Sequence, residues 1–105
     1  MEVEINEYLS HIKYVRRYSQ HTLIAYRTDL LQFKAYCQKN LLEVAQADVR
    51  GFLKYLREQK LSPRTINRKI EVLRSFYRYY RRFTEYNEFP CAHIGLIRFV
   101  KPRAK

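Results

Sequence analysis

Residues 62–83, SPRTINRKIEVLRSFYRYYRRF, constrain the fold more than any other stretch of this chain. Ile66, Ile70, Leu73, Tyr77 and Tyr80 recur at steps of four and three, which puts them on one side of a helix. Arg64, Asn67, Arg68, Arg74, Arg78, Arg81 and Arg82 fall on the rest of the cylinder. Ser62 supplies a capping hydroxyl, and Pro63 suits the first helical position, where no amide hydrogen bond is lost. One side of this helix is fit to pack on a core. The other is fit to lie beside something negative.

Three earlier segments carry the same period. In residues 4–18, Ile5, Leu9 and Ile12 form a stripe with Tyr8 and Val15 beside it. Acidic side chains open that segment and Lys13, Arg16 and Arg17 close it, in the order that complements the helix dipole. Ser19 reads as the cap of a second helix over residues 20–39, with Leu23, Tyr26, Leu30, Phe33 and Cys37 facing inward. Asn40 ends it, and residues 41–45 form a connection expected to tuck Leu42 and Val44 under the core. A third helix is expected over residues 47–59, with Val49, Phe52, Leu53 and Leu56 buried and Asp48 at its cap or first turn. Gly51 is tolerated inside that helix at a cost of about 1 kcal/mol relative to alanine. After Phe83 the pattern weakens. Asn87 and Pro90 break any continuation, residues 92–100 suit a short helix or an extended arm, and the tail 101–105 is expected to fray. With 105 residues, 2 glycines and 3 prolines, the reading is a single all-α domain of four to five helices.

Charge narrows the function. The formal net charge is +11, and it is unevenly placed. Residues 1–49 hold 6 basic and 6 acidic side chains, whereas residues 50–82 hold 11 basic and 2 acidic. A concentrated excess of this kind attracts phosphate backbones and releases their counterions. An anionic membrane surface and an acidic protein partner are the rival targets.

Other chemistries find little support. Cys37 and Cys91 are far apart, and no Cys/His spacing fits a zinc finger, so no metal or cofactor is expected. Cys37 reads as a small packed thiol. His11 and His93 have no ligand partner at useful spacing. No apolar run reaches the ~20 residues a membrane helix needs, and no secretory leader is visible, so the expected location is cytoplasmic. Ten tyrosines invite thoughts of catalysis, but Tyr26, Tyr77 and Tyr80 sit on core stripes, where packing is the plainer role.

The phrases YSQHTLIAYRTDLLQF and ADVRGFLKYLREQKLSPRTINRKIEVLRSFYRYY resemble the N-terminal core-binding domain of tyrosine recombinases, the Xer and phage-integrase family. The resemblance rests on Ser19, Thr22, Tyr26 and Asp29-Leu30, on Asp48-Val49 and Phe52-Leu53, and on Leu61-Ser62, Thr65 to Lys69, Leu73-Arg74 and Phe76 to Arg78. It implies a SAM-like helical bundle forming half of a clamp around double-stranded DNA, with the second and fourth helices at the major groove. It also implies contacts to neighbouring protomers of a tetramer and to a following catalytic domain. The family's catalytic Arg, Lys and His residues and its nucleophilic Tyr belong to that domain, so this chain alone is not expected to be an enzyme. The family's usual Asn-Pro after the fourth helix is here Asn87-Glu88-Phe89-Pro90.

The expected DNA-contacting set is His21, Thr22 and Arg27 on the second helix, and Arg64, Thr65, Asn67, Arg68, Arg74 and Arg78 on the fourth. Helix starts favour phosphate through free N–H groups, arginine adds bidentate bonds, and Asn67 has the donor and acceptor that adenine matches. Each has a plainer alternative: Thr22 and Thr65 as cap partners, Arg27 as a packed stem, the arginines as a solvated face. The expectation requires the guanidiniums to be free of the protein's own carboxylates.

Overall fold

The computed structural model describes residues 3–84 together with Pro90 and Cys91. Four helices make up the fold: α1 (Val3–Tyr14), α2 (Gln20–Cys37), α3 (Gln46–Glu58) and α4 (Pro63–Phe83), with one 3-10 turn (Leu41–Glu43) between α2 and α3. The described residues contain no strand. The expectations for residues 92–105 lie outside the described residues.

α4 is the axis of the domain, in contact with α1, α2 and α3. Its buried set is wider than the five-residue stripe, because Lys69, Val72 and Phe76 are buried as well. A helix with neighbours on three sides needs an apolar arc broader than a single seam. Around it lie Ile5, Tyr8 and Ile12 of α1, Leu30 and Phe33 of α2, and Val49, Phe52, Leu53 and Leu56 of α3. Phe33 and Phe52 meet edge to face at 5.0 Å, joining α2 to α3. Burying side chains of this size contributes roughly 1.5–3 kcal/mol each.

Tyrosine hydroxyls tie the layers together. Tyr77 donates to the Leu41 carbonyl at 2.5 Å. Tyr80 reaches the Glu4 carbonyl at 3.0 Å and the Glu7 carboxylate at 2.7 Å. Tyr8 hydrogen-bonds Ser75 across the α1–α4 contact. Burial holds the Tyr8 and Tyr80 phenols well above the usual range, and the Glu7 hydrogen bond raises Tyr80 further.

The helix ends correct the sequence reading in several places. α1 stops at Tyr14, not near Tyr18, because Arg17 turns left-handed (φ 58°) and the Tyr18 amide folds back to the Ile12 carbonyl at 3.0 Å. Val15 therefore lies beyond the stripe and is exposed. α2 stops at Cys37, where Gln38 (φ 54°) takes the left-handed cap. Lys60 (φ 61°) does the same after α3. In the connection, Leu41 and Val44 are buried, while Leu42 is only half-buried. Asp48 caps the start of α3 by accepting from the Ala45 amide at 2.9 Å, and it also meets Lys39 at 3.2 Å. The amide hydrogen bond holds its carboxyl below the usual range.

Candidate nucleic-acid interface

The starts of α2 and α4 are built alike. Ser19 accepts from the Thr22 amide at 3.2 Å, and Ser62 accepts from the Thr65 amide at 3.2 Å. The two hydroxyls of each pair also touch, at 3.0 and 3.1 Å. Each Ser-x-x-Thr thus satisfies one orphan donor of its helix start and leaves others facing outward. Thr22 and Thr65 are cap partners in this arrangement, each half-buried. His21 and Arg64 stand beside them in the first turns, both exposed.

At 100° per residue, Arg64, Arg68, Arg78 and Arg82 share an arc of about 80° on α4, centred opposite the buried arc. All four are exposed. Glu71, also exposed, interrupts the row. Arg64, Arg78 and Arg82 have no carboxylate within 4.0 Å among the described residues. No described carboxylate neutralises their charge.

Arg68 differs. Its Nε donates to Asp29 Oδ2 at 3.2 Å and its Nη2 to Oδ1 at 3.1 Å. Lys69 adds a third bond to the same carboxylate at 2.7 Å. Asp29 is 2% exposed, whereas the Arg68 side chain remains 51% exposed. The requirement that the guanidiniums be free of internal carboxylates therefore fails at Arg68. One negative charge faces two positive ones, and the surplus sits on the exposed head.

The remaining residues of the expected set lie elsewhere. Asn67 and Arg74 sit on the shoulder of α4, both half-buried. Arg74 buries its Nε without a hydrogen-bond partner among the described residues. The turn at Pro90 and Cys91 lies near it, and burial pushes the Cys91 thiol up to about 12. Arg27 points away from α4, and its Nη1 bonds Asn6 of α1 at 3.0 Å. It lines a groove between α1 and α2 with Leu9, Lys13, Tyr14 and Ile24. The structure thus brings Arg64, Arg68 and Arg78 to one face and separates Arg27 from them.

Two further sets of cations escaped the sequence reading. Arg50, Lys54 and Arg57 of α3 are exposed at steps of four and three, a spacing visible in the sequence. Arg16 joins Arg78 and Arg82 around a groove floored by Tyr8, His11, Tyr79 and Phe83. That convergence depends on how α1 crosses α4, and no local pattern announces it. His11 packs on the Tyr79 ring at 4.7 Å and on Phe83 at 5.0 Å.

Among the described residues, no cluster of His, Cys, Asp or Glu could hold a metal ion. No described helix is long and apolar enough to cross a membrane. The chemistry on offer is cationic and hydrogen-bonding.

Residues 5–83 match the family described as phage integrase, N-terminal SAM-like domain. Tyrosine recombinase XerC of Staphylococcus aureus (strain USA300) is 36% identical over 81 residues, covering 74% of this chain and 27% of that protein. Tyrosine recombinase XerC of Treponema denticola is 33% identical over 104 residues, covering 96% of this chain and 34% of that protein. That of Staphylococcus haemolyticus is 35% identical over 82 residues, 75% of this chain and 27% of its own length. The chain spans about a third or less of the curated relatives it matches. No solved structure matches it.

Proposed function

We propose, given that the chain belongs to the phage integrase family as its N-terminal SAM-like domain, that it is a double-stranded-DNA-binding module of a site-specific tyrosine recombinase. The observation that carries this reading is the row of Arg64, Arg78 and Arg82, exposed opposite the core with no internal counter-charge among the described residues. Such a row meets phosphates of a backbone, and each contact releases counterions. The capped starts of α2 and α4 add outward amides and the positive ends of two helix dipoles.

In this reading the phosphate contacts fix the position of the module. Sequence preference comes from side chains flanking the row, chiefly Asn67 on the shoulder of α4 and His21 in the first turn of α2. Arg74 contributes less than Arg64 or Arg78, because part of its guanidinium is spent inside the fold. Arg27 serves the α1–α2 contact first. The module's task is positional: it seats a separate catalytic domain, and neighbouring protomers, on a recombination site. Strand cleavage and joining belong to that catalytic domain.

Titrating salt against binding of a short labelled duplex tests the proposal. The logarithm of the binding constant should fall linearly with log[salt], by about 0.9 for each phosphate neutralised. Binding that ignores salt, or no duplex binding at low salt beside tight binding to an acidic protein or anionic vesicles, overturns it.

A further inference from the structure

We propose that Asp29 is a positioning residue for DNA binding: it grips Arg68 side-on and aims the free edge of its guanidinium at a backbone phosphate. The proposal rests on the DNA-binding reading above and assigns a division of labour inside it.

The geometry is specific. Asp29 is buried in α2, 2% exposed, and takes the Nε and Nη2 side of Arg68 at 3.2 and 3.1 Å. A guanidinium carries five N–H donors in a rigid plane, so two are engaged and three remain, two on Nη1 and one on Nη2. One N–H of Nη1 and the free N–H of Nη2 lie side by side at the end turned away from the carboxylate, and the side chain that bears them is half exposed. That outward edge is a second fork of the kind that matches phosphate.

Charge neutralisation does not require Arg68 here. Lys69, 11% exposed, already meets Asp29 at 2.7 Å and offsets its charge. What Arg68 gains from Asp29 is a fixed orientation. A free arginine loses several rotatable bonds on binding, and one already fixed has less to lose. The buried ammonium therefore supports the carboxylate, and the carboxylate supports the exposed arginine. The same cluster joins α2 to α4, so the two capped helix starts and the aimed guanidinium share one rigid mount.

The test is a cycle built on D29N/K69M, which removes one negative and one positive charge and leaves the net charge unchanged. Folding is checked first by far-UV circular dichroism and thermal melting. Binding of a short labelled mixed-sequence duplex is then measured for the wild type, Arg68→Ala, the balanced double variant and the triple variant. Arg68→Ala should weaken wild-type binding about 5-fold, and the double variant should weaken it by a similar factor. Arg68→Ala added to the double variant should cost less than about 2-fold, because the arginine is no longer aimed.

Equal costs of Arg68→Ala in both backgrounds overturn the proposal. So does an unchanged affinity for Arg68→Ala in the wild type, which would leave the cluster as a tie between helices. Neither outcome touches the wider reading so long as wild-type binding keeps its salt dependence; loss of that dependence sinks the wider reading itself. Should the double variant fail to fold, Arg68→Lys decides, since it keeps the charge at a half-exposed site and loses the side-on grip. Affinity as low as that of Arg68→Ala supports aiming. Affinity near wild type overturns it.

Discussion

The Tyr36 hydroxyl lies 2.9 Å from the point where a Cβ on Gly51 would stand, so the glycine in the middle of α3 makes room for a ring on α2. Helix propensity alone says Gly51→Ala should stabilise by about 1 kcal/mol. The collision cancels that gain, because Tyr36 is held by Phe52 at 5.3 Å and Tyr55 at 5.3 Å. Tyr36→Phe removes the hydroxyl and leaves ring carbon Cζ at 3.9 Å from the new methyl, an ordinary contact. The expected result is near-zero change for Gly51→Ala alone and a gain of about 1 kcal/mol when it is added to Tyr36→Phe. Urea melts of the four proteins measure it, and additivity would refute the steric account.

Tyr77→Phe should cost about 0.5–1.5 kcal/mol, because it removes a buried hydrogen bond and leaves the Leu41 carbonyl with the longer bond from the Val44 amide at 3.4 Å. Ring volume is kept, so the loss reports the hydrogen bond and not a cavity. Equilibrium denaturation with an unchanged m-value checks this; a loss below a few tenths of a kcal/mol would mean that water replaces the phenol.

Lys60 sits in the left-handed region with φ 61°, where a side chain costs about 1 kcal/mol and glycine costs nothing steric. Lys60→Gly should therefore raise stability by roughly 0.5–1 kcal/mol, or a few degrees in Tm. A lower Tm would show that the side chain makes a contact worth more than the strain.

Asp48 has a carboxyl held below its usual range by the Ala45 amide, with Lys39 helping. A depressed carboxylate stabilises above its unfolded pKa, near ~4, and the contribution fades as pH falls through the folded value. Asp48→Ala should cost about 1 kcal/mol at neutral pH, and the gap to wild type should close as the solution is acidified below pH ~4. A gap that persists in strong acid would assign the loss to something other than the charge.

On the DNA side, Arg64→Ala and Arg78→Ala should each reduce the magnitude of the salt slope by about 0.9, uniformly across sequences. Asn67→Ala should change sequence preference more than overall affinity. Arg27→Ala should leave the slope unaltered and weaken the α1–α2 contact, since its head is engaged with Asn6. A full unit of slope lost with Arg27 would move the interface onto α2 and α1.

Much of this was legible in sequence because the signals were local. The apolar period and the Ser62-Pro63 start define α4, which runs Pro63–Phe83, the span expected of it. The caps at Ser19 and Ser62 are likewise short-range, and both form. The end of α1 was not legible, since Arg17 turns the chain without glycine or proline to mark the place. Asp29 carried a partial signal. It lies three residues after Tyr26 and four before Phe33, on the inward side of α2, where a carboxylate needs a cation. Lys69, three after Ile66 and four before Leu73, posed the matching question. Nothing in the spacing of two segments 40 residues apart says that each answers the other.

The bond between Tyr80 and Glu7 has an effect at long range. It fixes a carboxylate toward the core-facing side of α4, nearly half a turn round from Arg64 and Arg82. That carboxylate is thereby kept off the arginine row of α4, while the chain as a whole carries +11. In the proposed DNA-binding reading, the net positive charge draws a polyanion in, and Glu7, tied down on the other side of the helix, adds no close repulsion where the arginines wait.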